Sequence, residues 1–146
     1  MKNRYTYFGV FALLLLMAAP PAGAQVALFR SGSLTASAAS HANCTASSCV
    51  TIPVTSLTGG VAFQLSETFN ATVTFEGTVD GVNWVATAVL PPVAGGSRAL
   101  ATTETAAGIY QMNVAGFAQV AARVSAYTSG TVAVAANRSA AHPPTQ

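Results

Sequence analysis

The chain has 146 residues, 51% of them apolar and only 7% charged, with a formal net charge of +2. That length suits one domain with a real core, and its six scattered basic residues exclude the Lys/Arg-dense surface that nucleic acid requires. Apart from an export signal, no motif specifies a chemistry, and no cofactor is expected.

The export signal comes first. Lys2 and Arg4 precede an apolar run over residues 7–19, followed by Pro20, Pro21 and the small triplet Ala22-Gly23-Ala24. A basic start, a short apolar stretch and an A-x-A site read as a secretory signal over 1–24, cleaved before Gln25. The run is shorter than the roughly 20 apolar residues of a membrane span. The mature chain is therefore expected to be secreted, periplasmic or at the cell surface, with no membrane contact after cleavage.

Cleavage leaves Arg30, Arg98, Arg123 and Arg138 against Glu67, Glu76, Asp80 and Glu104, a neutral balance with no lysine. Net charge near zero removes the repulsion that keeps copies apart. Self-association, or contact with other surface proteins, is the expected partnership.

Short strands are predicted at 26–29 and 33–38. Cys44 and Cys49 follow in "HANCTASSCV". In an oxidising compartment a local disulfide is expected, and closing so short a loop contributes about 2 kcal/mol in the loop-closure model. The alternative puts His41 and both sulfurs on a metal, which needs His142 as a fourth ligand. Asn43, Asn70 and Asn137 each begin a triplet of the glycosylation pattern, which arises by chance in a Ser/Thr-rich chain.

Further strands are predicted at 49–54, 60–65, 71–79, 83–89, 108–114, 119–127 and 131–137, separated by turn signals such as Asp80-Gly81, Gly95-Gly96 and Ser129-Gly130. Residues 99–107 are expected as a long connection with one helical turn, and 138–146 as a disordered tail. The fold class is all-β: one antiparallel β-sandwich, jelly-roll or Ig-like, of about eight or nine strands over 25–137.

In "ATVTFEGTV" Ala71, Val73, Phe75 and Val79 alternate with Thr72, Thr74, Glu76 and Thr78, so one face is buried and the other wet. A four-residue loop at Asp80-Gly81-Val82-Asn83 sets Val79 opposite Trp84, which puts Trp84 in the core beside Phe75 and Val73. A register slip of one residue would turn Trp84 outward, as a platform for a sugar ring with Tyr110 or Tyr127 beside it. Downstream, Tyr110, Met112 and Val114, then Val120, Ala122 and Val124, then Val132, Val134 and Ala136 form inward rows, and their strands read as a meander. Phe117 plugs one end.

The stretches "TVTFEGTVDGVNWV" and "GIYQMNVAGFAQVAARVSAYTSGTVAVAA" carry a resemblance. Phe75-Glu76-Gly77 with Asp80-Gly81-Val82-Asn83-Trp84, the Gly108-Ile109-Tyr110 start, the Gly116-Phe117 corner and the Ser129-Gly130 turn resemble the β-sandwich module of tailed-phage structural proteins, in tail, baseplate and decoration components, over 55–136. The resemblance implies a non-catalytic module that packs against its own copies or displays a binding surface. It supplies no catalytic residues. The export signal departs from that family, whose virion proteins assemble in the cytoplasm.

An enzyme is not expected. Neither His41 nor His142 lies on a rigid element beside a nucleophile, as hydrolytic triads require. Glu76 and Asp80 are the nearest approach to a glycosidase pair, and Glu76 reads as an ordinary solvent-facing charge. The expected function is that of a secreted structural or assembly module, with "QVALFR" (25–30) able to lend a strand to a neighbour's sheet edge. The alternative is a glycan-binding or adhesive module, with carbohydrate as partner. The residues assign no ligand-binding site.

Overall fold

The computed structural model describes residues 29–92 and 99–140. Residues 1–28, which contain the expected export signal, Arg98 and the last residues 141–146, which include His142, lie outside the described residues. Nine strands are described: β1 (Phe29–Leu34), β2 (Cys49–Pro53), β3 (Thr58–Ser66), β4 (Phe69–Thr78), β5 (Val85–Ala86), β6 (Thr103–Glu104), β7 (Gly108–Asn113), β8 (Gln119–Gly130) and β9 (Val132–Ala140). They form two antiparallel sheets packed face to face, one ordered β1-β9-β3-β7 and the other β2-β8-β4-β5, with β6 also pairing with β4. No helix among the described residues is long and apolar enough to cross a membrane.

The period-two rows supply the core. Phe63, Leu65, Tyr110, Met112, Val132, Val134 and Ala136 enter from the four-stranded sheet, and Ile52, Val73, Phe75, Val120, Ala122 and Val124 from the other. Phe75 bridges the layers, with its ring centroid 5.5 Å from Phe63 and 5.3 Å from Tyr110. Burying side chains of this size contributes about 1.5–3 kcal/mol each. Phe117 plugs one end as expected: a Cβ added at Gly77 would stand 2.6 Å from its ring, so only glycine admits it there.

Several boundaries differ from expectation. Residues 26–28 lie outside the described residues; from Phe29 the chain runs as one strand, β1, to Leu34, so the strand expected over 33–38 ends early, and the strand expected over 83–89 shrinks to β5, with Val89 and Leu90 in isolated bridges to Ala101 and Gln111. The connection expected over 99–107 carries β6 instead of a helical turn, because Val73 and Thr74 offer it a free edge. β9 runs on to Ala140, so Arg138, Ser139 and Ala140 are ladder residues rather than tail.

The last three long strands are not a meander. β7 and β9 flank β3 in one sheet, while β8 lies between β2 and β4 in the other. The chain crosses between layers at Gly116-Phe117 and again at Gly130-Thr131. Gly130 has φ 87°, and a Cβ there would lie 2.2 Å from the Thr68 carbonyl oxygen. A tight arch between layers and a hairpin within one layer present the same inward alternation, so periodicity does not distinguish them.

Candidate functional site

The outer face of the five-stranded sheet, expected to be wet, is covered. Segment 35–48 folds back along it: the Ala38 amide donates to the Val124 carbonyl, and the Val124 amide to that of Ser48. A 3-10 turn at His41–Asn43 then carries His41 across β8 towards β4. Cys44 and Cys49 are disulfide-bonded at the base of this segment. The metal alternative is thereby corrected, since each sulfur is committed to the other.

Beneath that cover lies an ion pair. Glu76, read from sequence as solvent-facing, is 6% exposed, and Arg123 is 8% exposed. Arg123 donates from Nε (2.8 Å) and Nη2 (2.5 Å) to Glu76 Oε1, and from Nη1 (2.5 Å) to the Ala38 carbonyl. His41 Nδ1 lies 3.3 Å from Glu76 Oε2, so both carboxyl oxygens are engaged. Thr74 and Thr78, on the same expected wet face, are also buried.

Trp84 closes the cluster from above. Its ring stacks on the His41 imidazole, with centroids 3.4 Å apart and planes inclined by 11°. The expected core position is corrected by one residue of register: Gly77 pairs with Val85 and Glu76 with Ala86, so the loop from Thr78 to Trp84 is wider than a four-residue hairpin. Asp80 builds that loop by accepting from Thr78 Oγ1, the Val82 and Asn83 amides and Asn83 Nδ2. The Asn83 side chain, together with these other donors, holds the Asp80 carboxyl well below the usual carboxylate range. Slippage of one residue exchanges the two faces of a strand. Trp84 is therefore half-buried on the outer side, while Val79, expected inside, is 69% exposed.

Nor is Trp84 part of an aromatic platform with the tyrosines. Tyr110 is fully buried and donates to the Ala106 carbonyl at 2.7 Å, and Tyr127 is half-buried with its hydroxyl on the Gly130 carbonyl. The Glu76 and Asp80 carboxyls, named as the nearest approach to a glycosidase pair, serve separate hydrogen-bond sets. The cluster thus braces a covering loop against a sheet. Nothing local in the sequence reveals it, because Glu76 and Arg123 sit at ordinary outward positions and meet across β4 and β8 through the pairing of Glu76 with Ala121 and Thr74 with Arg123.

The opposite outer face, on the four-stranded sheet, is open and different in chemistry. Its outward positions form cross-strand rows: Ser139-Gly60-Asn113, Phe29-Asn137-Ala62-Gln111, Ser31-Ala135-Gln64-Ile109 and Ser33-Ala133-Ser66. None of these side chains is charged. Small residues occupy most of the two central strands, so the face is hollowed between Phe29 and Ile109, which are 53% and 51% exposed.

A third feature lies at one end of the sandwich. The Ala118 amide donates to the Thr78 carbonyl and the Val54 amide to that of Ala118, so the loops after Val54 and Thr78 leave the same edge. They project Leu57, Val79 and Val82, which are 75%, 69% and 78% exposed.

The fold has a phage-derived counterpart. The chain is similar to the crystal structure of the SPBc2 prophage-derived protein YomS, with TM-score 0.53 and 14% identity over 75% of this chain and 91% of that one. This likeness shows a shared sandwich. No family model matches the chain, and no curated protein matches it.

Proposed function

We propose that this protein is a non-catalytic structural module, exported and built into a cell-surface or virion-like assembly through contacts between its copies. The observation that carries the reading is the apolar tip of Leu57, Val79 and Val82. Exposed apolar groups on ordered loops mark contact surfaces, and these loops are ordered: Asp80 accepts four hydrogen bonds, and Thr55 and Thr58 are hydrogen-bonded across the β2–β3 turn.

Charge supports the same reading. Glu76, Arg123 and Arg138 are buried, leaving Arg30, Glu67 and Asp80 as the exposed formal charges among the described residues, with Glu104 half-buried. Little repulsion opposes a second copy. The fold shared with a prophage-derived protein is consistent with a structural role. The strand-lending idea for 25–30 narrows, because Phe29 and Arg30 already pair with Asn137 and Ala136 of the same chain.

Light scattering coupled to size exclusion, on mature protein recovered from an exported fraction, tests the proposal. Oligomers that dissociate on Val79→Ser with Val82→Ser are expected. A monomer at all concentrations would sink it.

A further inference from the structure

We infer that the open face of the four-stranded sheet is a binding trough for a neutral, linear carbohydrate. This goes beyond the assembly reading and uses a different surface. Three hollows of about 370, 270 and 270 Å³ lie on this face and share lining residues: Ala62 joins the first to the third, and Gln64 and Ala135 join the third to the second. They make one channel along β3 and β9. Four rows spaced by two residues give it a length of about 20 Å, and four strands give it a width of about 14 Å.

The walls match sugar chemistry. Gln64, Gln111 and Asn137 bring primary amides to the channel, each with a donor and an acceptor for the vicinal hydroxyls of a sugar ring. Asn113 adds a fourth primary amide to the lining, with its oxygen accepting from the Ala115 amide. Phe29 adds a half-exposed aromatic ring for the apolar face of a sugar, and Ala62 and Ala135 keep the floor low enough to admit one. A few directed polar groups in a concave, partly apolar surface are the pattern of a ligand site. The absence of charge selects against anionic polymers, whose desolvation nothing here offsets.

A second copy is a poorer occupant of this face. Protein interfaces gain most from clustered aromatic and large apolar anchors, whereas the ones lining this face are divided between its two edges, Phe29 on β1 and Ile109 with the half-buried Leu90 at β7.

The test is calorimetric titration of the mature protein with cello-, malto-, manno- and chito-oligosaccharides, and with polygalacturonate oligomers as the anionic counterpart. Binding of at least one neutral series is expected. Gln64→Ala and Asn137→Ala should each weaken it about tenfold, the effect of losing one good hydrogen bond. Ala62→Arg, which fills the floor, should abolish it, and Val79→Ser should leave it unchanged, with circular dichroism confirming that every variant folds. Three results would overturn the inference: no heat from any neutral series, equal or tighter binding of polygalacturonate, or an Ala62→Arg variant that binds as the wild type does. An Ala62→Arg variant that alters oligomeric state in a protein silent to sugars would assign the face to a second copy instead.

Discussion

The Trp84 indole lies flat on the His41 imidazole, 43 positions away in sequence, and so clips the disulfide-bearing loop to the edge of the five-stranded sheet. The contact joins two regions that the backbone ladder does not. A stacked aromatic pair contributes about 0.5–1.5 kcal/mol beyond area burial. Trp84→Ala and His41→Ala should each lower stability by about 1–2 kcal/mol, and the double variant by less than the sum of the two. Urea unfolding of the three variants checks this, with strict additivity speaking against the clip.

The Glu76–Arg123 pair should show the asymmetry of buried ion pairs. Removing one partner leaves the other charge buried and typically costs about 3–5 kcal/mol, whereas replacing both with apolar residues is often near neutral. Arg123→Met alone is therefore expected to be severely destabilised. Glu76→Leu with Arg123→Met should recover most of that loss in thermal unfolding.

Two carboxyls should titrate on opposite sides of their ordinary values. Asp80, held by Asn83 and its neighbouring donors, should keep its charge to strongly acid pH, while burial pushes Glu104 upward. The linkage signs differ accordingly. The stability tied to Asp80 is complete above its unfolded value of 3.8 and is lost only as pH falls through the depressed folded value. Glu104 destabilises the native state when charged, and that cost is relieved as pH falls through its raised value. Carboxyl carbon shifts followed by NMR against pH would resolve both.

Tyr110 is coupled to Glu104. Burial first, and then the Glu104 charge, push its hydroxyl above the ordinary value of 10.0. Glu104→Gln should lower the alkaline midpoint seen in tyrosine absorbance without bringing it to 10.0, because burial remains.

Glu67, in the turn from β3 to β4, adopts φ 73°, a left-handed conformation that costs a side-chain-bearing residue about 1–2 kcal/mol. Glu67→Gly relieves that cost against its own entropy penalty in the unfolded chain. A net gain of about 0.5–1 kcal/mol is expected, readable as a higher melting temperature.

Much of the sandwich was legible in the residues. Alternation at Val73 and Phe75, at Tyr110, Met112 and Val114, and at Val132, Val134 and Ala136 assigned the inward faces, since side-chain direction repeats every two residues whatever the strand pairs with. The Cys44–Cys49 link followed from the spacing of the two cysteines and the expectation of an oxidising compartment. That few charges reach the exterior of the described residues followed from their scarcity in the chain. Only the tertiary structure decided which layer each strand joins, because backbone hydrogen bonds are nearly blind to side chains and an arch at Gly130 leaves the same pattern as a hairpin. It also decided the fate of the five-stranded sheet's outer face. There a register one residue off expectation turned Trp84 outward, and a loop from far upstream sealed Glu76 and Arg123 from water. Both outcomes rest on contacts between distant segments, whose closure entropy is repaid only by the assembled fold.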